Sequence, residues 1–179
     1  MDLKNRLKAG GIDTSQYGIG KAKTLEHLLE EIKAGEMTLA INEEGILLRR
    51  LIITSTEIYY TNPQKEKFKL KEEKQIFFDG RERARDFVGS VSGKIKGDEN
   101  PEHSAKREKE EELGISSPLI VIDNGKAIET KETASYPGLL SEYTIYKFIV
   151  HLEDKDFKPE GYIEKKDGLT TFFVWEKVV

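Results

Sequence analysis

The chain of 179 residues contains no cysteine, which excludes disulfides, thiolate nucleophiles and zinc–cysteine sites. It has no apolar run approaching the length that crosses a bilayer. The opening residues MDLKNRLKAGG also lack the apolar stretch of a signal peptide. With those signals missing, the expected compartment is the cytoplasm. An excess of positive charge is missing too: 29 Lys and Arg stand against 33 Asp and Glu, for a net charge of −4. The basic residues are dispersed, so duplex nucleic acid is not an expected partner, while a single nucleotide is compatible with this balance. Apolar residues are scarce at 37% and charged ones abundant at 35%, yet a chain near this size still buries roughly two-thirds of its unfolded surface. The three histidines, His27, His103 and His151, do not cluster in sequence and receive no role.

The N-terminal part differs from the rest of the chain. Residues 10–21, GGIDTSQYGIGK, are rich in glycine and turn formers and lead to Thr24, a good N-cap for a helix over 24–34 that stops at Gly35. Leu25, Leu28, Leu29 and Ile32 follow the i, i+3, i+4, i+7 pattern of a buried face. Gly18-Ile19-Gly20-Lys21 does not make a phosphate loop, because Ser15 stands where the upstream glycine belongs and Ala22 where a metal-binding hydroxyl belongs. From Met37 onward the segments MTLAIN, ILLRRLIIT and TEIYYT read as strands, with breaks at 42–45 and around 54–56. Residues 63–74 are read as a charged hairpin connection or an exposed edge. QIFFDG, DFVGSVSGKI, LIVID, AIETKET, SEYTIYKFIVHL and LTTFFVWEKV continue the β series, and one helix over 101–113 interrupts it. The expected organisation is an N-terminal helical extension (1–36) followed by one α+β domain (37–179).

Residues 93–115, GKIKGDENPEHSAKREKEEELGI, carry the chemistry. Pro101 suits the first turn of a helix and Gly114 the position just past its end. Between them Glu108, Glu111 and Glu112 stand at i, i+3 and i+4 on one face, with Ser104 and Ala105. Like charges at that spacing weaken a helix by a few tenths of a kcal/mol, and a hard divalent cation reverses the sign by taking the carboxylates as ligands. Glutamate is common here, with 24 residues, and most glutamate-rich helices are simply solvated. A solvated face, however, requires neither Gly93 nor Glu99 upstream.

The order Gly93, Glu99, Arg107-Glu108, Glu111-Glu112, Gly114-Ile115 resembles the signature of the Nudix hydrolases, G-x5-E-x7-R-E-U-x-E-E-x-G-U, where U is bulky and apolar. Chance alone, at this chain's own composition, gives such a match roughly once in 10⁵. The resemblance implies an α+β fold, a Nudix-like α/β/α sandwich with a mixed sheet and a loop–helix–loop at the signature. It implies that Glu108, Glu111 and Glu112 coordinate Mg2+ (or Mn2+), joined by the backbone carbonyl of Gly93. It makes Arg107 the residue that orients a catalytic glutamate, with Glu99 as its ion-pair partner. Lys109 departs from the signature, which places an apolar residue there; its alkyl stem is expected along the core with the amine at the edge. Relatives of this kind often have another helix after the last strand, and the helix over 24–34 is expected to cover that face here.

The activity implied is Mg2+-dependent hydrolysis of a nucleoside diphosphate linked to another moiety. Glu108 is the first candidate for the general base, and Glu164 or Glu160, before LTTFFVW, the equivalents of a base outside the signature; Glu142 and Glu153 rank below them. Tyr136, with Leu139 in the Pro-Gly loop SYPGLLSEY, is a candidate for stacking on a base, against an equally good core-packing reading. Arg85, with Arg81 and Arg83, is a candidate for phosphate. The alternative is a Nudix-fold module that binds a nucleotide or a protein partner without hydrolysis, since fold alone never proves activity.

Overall fold

Two helices precede the first strand where the sequence predicts one. The computed structural model describes residues 2–84, 89–116, 121–166 and 168–178, with the backbone alone for Val121. Helix α1 (Leu3–Ala9) is capped by Asp2, whose side chain accepts from the Asn5 N–H. Helix α2 (Leu25–Lys33) is capped by Thr24, which exchanges bonds with His27 in a capping box. His27 is thus a cap residue. The strands are β1 (Thr38–Ile41), β2 (Leu47–Thr61), β3 (Lys67–Phe77), β4 (Glu82–Arg83), β5 (Val91–Lys94), β6 (Val121–Lys131), β7 (Leu140–Leu152), β8 (Tyr162–Lys166) and β9 (Leu169–Val178), with helix α3 (Pro101–Leu113) between β5 and β6. The α+β class is the one expected. No helix among the described residues is long and apolar enough to cross a membrane.

The chain divides into two compact units. The first comprises Met1–Ile53, Lys94–Glu99 and Lys126–Ile145; the second comprises Thr54–Gly93, Asn100–Gly125 and Tyr146–Val179. In the first unit β1 pairs antiparallel with the start of β2, Leu39 opposite Arg49. Its core gathers Leu7, Leu28, Met37, Leu39, Leu47, Leu51, Tyr136 and Leu139. The buried side of α2 is Leu28 and Glu31. Leu29, expected there, is 39% exposed, because the helix turns Glu31 inward to meet cations. Lys23 lies 2.5 Å from that carboxylate, Lys94 3.3 Å and Arg49 3.7 Å. Arg49 is itself buried and donates to Ser141 Oγ at 2.7 Å and Thr133 Oγ1 at 3.1 Å.

In the second unit β3 lies between the end of β2 and β9, and β8 pairs with β9, all antiparallel. Two expectations fail here. The break around 54–56 is absent: β2 runs through it, with Thr54 and Thr56 fully buried, because β-branched threonine fits a strand once its hydroxyl is enclosed. The charged stretch 63–74 is neither an exposed edge nor mainly a connection, since Lys67 onward is strand, paired with β9 along its length and with β2 over 67–69. Its charges are matched across strands, Lys69 to Glu57 at 3.0 Å and Lys71 to Glu176 at 2.8 Å. β8, over YIEKK, is a strand absent from the expected series. The core of this unit joins Ile58, Leu70, Val91, Leu113, Ile115, Val150, Tyr162 and Phe173.

Helix α3 has the predicted bounds. Asn100 accepts from the Glu102 N–H at 2.8 Å, Pro101 opens the first turn, and Gly114 closes the helix at φ 67°, ψ 22°. A left-handed residue at that place costs glycine nothing and other residues about 1 kcal/mol or more. Leu113 and Ile115 flank the stop and are both buried, worth roughly 1.5–3 kcal/mol each. They fix the helix against Tyr162 and Phe173, and so fix where its glutamates stand.

Candidate active site

Gly93 and Glu108 are in contact. A Cβ built on Gly93 would sit 1.9 Å from both Cδ and Oε1 of Glu108, so only glycine leaves the carboxylate its place. Glu108 is 7% exposed, and burial pushes its carboxyl pKa above the ordinary 4.5. The Arg107 guanidinium opposes that shift, while neighbouring Glu111 adds to it. Arg107 Nη1 donates to Glu108 Oε1 at 2.5 Å and lies 3.5 Å from both Glu111 oxygens; its Nη2 donates to Ser104 Oγ at 3.3 Å. The expected glutamate face is therefore graded. Ser104, Ala105 and Glu108 are buried, Glu112 is half-buried, and the Glu111 side chain is 42% exposed.

Strand β8 supplies the other wall, for α3 packs beside it. Glu164 and Lys166 are two apart on this strand and so share a face. Lys166 Nζ lies 3.5 Å from Glu111 Oε2. Burial pulls the lysine's pKa down, but Glu111, Glu108 and Glu164 outweigh it and hold the ammonium above its ordinary value. Three carboxylates and two cations thus form one electrostatic cluster, and Glu164 belongs to it. Lys166 is the member that sequence reasoning missed. The signal was available only as an i, i+2 partner of Glu164 on a strand, and that strand was not recognised.

The remaining candidates separate. Tyr136 does not offer a stacking face: it is fully buried in the core of the first unit, with Tyr17 at 5.7 Å between ring centroids and the Arg49 guanidinium 4.8 Å above its ring. Its Pro-Gly loop turns the ring inward, which corrects the stacking assignment. Arg85 lies outside the described residues. Glu99 Oε2 accepts from the Lys96 N–H at 3.5 Å within the first unit. Glu160 and Glu153 are exposed, and Glu142 pairs with Arg50 at 2.7 Å. Lys109 is 4% exposed, so its amine is not at a wet edge. Burial lowers its pKa, and Asp156, then Glu110, pull it back up.

As donors for a cation, the signature side chains are all oxygen, the set that hard divalent ions prefer. The Gly93 carbonyl accepts a 3.5 Å bond from Thr54 Oγ1, next to the buried carboxylate. Among the described residues no three acidic, histidine or cysteine side chains already converge in a metal-binding group. Arg107 spans Glu108 and Glu111 instead. The donor chemistry fits a divalent ion, and the side chains would have to turn toward it.

No protein-family model matches the sequence, and no curated protein matches it. Among solved structures, the chain is similar to the E. coli dihydroneopterin triphosphate pyrophosphohydrolase at 17% identity, covering 69% of this chain and 78% of that one, with a TM-score of 0.41. It is similar to a C. elegans Ap4A hydrolase in a binary complex at 12% identity, with 71% and 80% covered and a TM-score of 0.43. It is also similar to the NUDIX domain of Shewanella oneidensis NrtR complexed with ADP ribose at 13% identity, with 72% and 73% covered and a TM-score of 0.41.

Proposed function

We propose that this chain is a Nudix-type diphosphohydrolase, which cleaves the phosphoric anhydride of a nucleoside diphosphate linked to another moiety with the help of Mg2+. The observation that carries the reading is the contact of Gly93 with Glu108. Two signature residues fifteen positions apart meet, and the meeting buries a carboxylate beside Arg107 and Glu111. A solvated acidic helix has no use for that arrangement, because burying a charge costs several kcal/mol unless something is made of it.

Glu108, Glu111 and Glu112 would hold the metal, with the Gly93 carbonyl beside them. When bound, Mg2+ neutralises the diphosphate oxygens and lowers the pKa of an attacking water. Glu108, whose carboxyl pKa burial raises above the ordinary 4.5, accepts the proton in the first version of the step; Glu164 is the second candidate. Arg107 orients Glu108 through the 2.5 Å bond. Water adds to phosphorus, the bridging P–O bond breaks, and the released phosphate carries the bond's electron pair.

The convergence of Arg107 on Glu108 and Glu111 also favours keeping the second reading, a Nudix-fold module that binds a nucleotide or protein without cleaving it. One screen separates them: nucleotide sugars, ADP-ribose, dinucleoside polyphosphates and nucleoside triphosphates, each with Mg2+. The enzyme reading expects hydrolysis of at least one of these compounds, and turnover reduced about 100-fold or more in Glu111→Gln and in Glu112→Gln with melting points unchanged. Rates unchanged from wild type in both variants would overturn the metal assignment, and micromolar nucleotide binding without any product would favour the module.

A further inference from the structure

We propose that Arg83 and Lys166 form an anion grip for a phosphate of the substrate, with Gln75 as the positioning residue for Arg83; the substrate class rests on the diphosphohydrolase reading. The strand registers put both cations on one side of the sheet. Arg83 lies opposite Gln75, Gln75 opposite Thr171, and Thr171 opposite Glu164. One step along, Phe77 lies opposite Leu169, and Leu169 opposite Lys166. Directly opposed residues share a face, as do residues two apart on a strand. This is the side toward α3, since Tyr162 and Phe173 on it join Leu113 in the core and Lys166 reaches Glu111.

The way Arg83 is held sets it apart from an ordinary surface arginine. Its Nε and Nη2 both donate to one oxygen, Gln75 Oε1, at 3.1 and 2.5 Å. Gln75 is 4% exposed, and its own amide nitrogen donates to Thr171 Oγ1 at 3.4 Å, with Thr171 2% exposed. A buried neutral relay therefore orients the guanidinium without cancelling its charge. Arg81, by contrast, pairs with Asp79 at 2.7 Å, whereas among the described residues Arg83 makes no ion pair. The Arg83 guanidinium also lies 5.3 Å from the centroid of the Phe77 ring, a contact that restrains it and leaves donors for a ligand. Phe77 and Lys166 both line a cavity of about 390 Å³. Arginine's planar fork matches phosphate oxygens, and lysine adds a point charge. The pair suits a phosphate of a diphosphate ester whose other oxygens face the glutamates of α3.

The test is calorimetric titration of the full chain with imidodiphosphate, a diphosphate that resists hydrolysis, in the presence of Mg2+. Binding by the wild type should weaken about tenfold or more in Arg83→Ala and in Lys166→Ala. Arg83→Lys keeps the charge but loses the fork held by Gln75, and should weaken binding about fivefold. Gln75→Leu should follow Arg83→Ala in affinity, since a merely structural glutamine would change the melting point and leave affinity alone. Wild type that does not bind imidodiphosphate at millimolar concentration, or Arg83→Ala that binds it normally while folded, overturns the grip. Binding that depends on Arg83 with no diphosphate compound cleaved would sink the hydrolase reading and leave the grip standing. Cleavage whose KM ignores Arg83 would do the reverse.

Discussion

Replacing Gly93 by alanine tests the centre of the site. The new Cβ would meet Cδ and Oε1 of Glu108 at 1.9 Å and its Cγ at 2.3 Å, where carbon atoms settle at about 3.5–4.0 Å. Gly93 is not among the positive-φ glycines, so alanine brings no backbone strain and the clash is the whole effect. The glutamate is buried and can leave only by swinging away from Arg107, giving up the 2.5 Å bond. Overpacking of this kind costs about 1–3 kcal/mol, and a hydrogen bond to a charged group about 1.5–3 kcal/mol. The two figures describe one movement and do not add. At about 2–4 °C per kcal/mol for a chain of this length, the melting point should fall by roughly 3–10 °C. Circular dichroism melts of a double-mutant cycle with Glu108→Ala check the cause. Glu108→Ala removes the three atoms nearest the new methyl, so Gly93→Ala should cost at least about 1 kcal/mol less in that background. Equal losses in both backgrounds would refute the contact. If the hydrolase reading holds, Gly93→Ala also lowers turnover by orders of magnitude, because it displaces the first metal ligand.

Three other outcomes rest on the same geometry. Burial raises the Glu108 pKa above 4.5, so the folded chain holds that proton more tightly than the unfolded chain does. Stability from this group therefore falls as pH rises from the ordinary value through the raised one, and is flat above it. In metal-free buffer Glu108→Gln should flatten that part of the melting-point profile; a slope that persists unchanged assigns it elsewhere. Arg49→Met leaves Ser141 and Thr133 without their donor and removes one of three cations from Glu31. The loss should be about 2–4 kcal/mol by urea titration, somewhat below the usual cost of breaking a buried pair because Lys23 and Lys94 stay; less than about 1 kcal/mol would contradict the buried network. Lys109→Leu restores the apolar residue of the signature at a buried position, with Asp156 left half-exposed. It should be neutral or stabilising by about 1 kcal/mol, and a clear fall in melting point would mean that the ammonium, not its stem, holds the helix.

What was legible in the sequence depended on how local its cause is. Pro101 and Gly114 bound helix α3 through dihedral preferences that act within one turn, so the helix could be read to the residue. The Thr24 cap was legible for the same reason. Thr54 and Thr56 misled because a polar pair looks like a break until a neighbouring segment encloses it, as the residue just before β5 does where the Ser90 N–H donates to the Thr56 carbonyl at 2.8 Å. Tyr136 misled likewise: a Pro-Gly turn predicts a loop, but the direction of one ring is decided by the packing around it. The glutamates of α3 show the limit most clearly. Helical period places Glu108, Glu111 and Glu112 on one face and cannot grade them. The grading comes from Gly93, which lets Glu108 in, and from β8, which brings Lys166 to Glu111. YIEKK, with three charges in five residues, carries little strand signal of its own, and only its pairing with β9 makes it one. Motif spacing could therefore place the glutamates on one helix face, while the order of desolvation within the motif, and the cations that answer it, had to come from strands elsewhere in the chain.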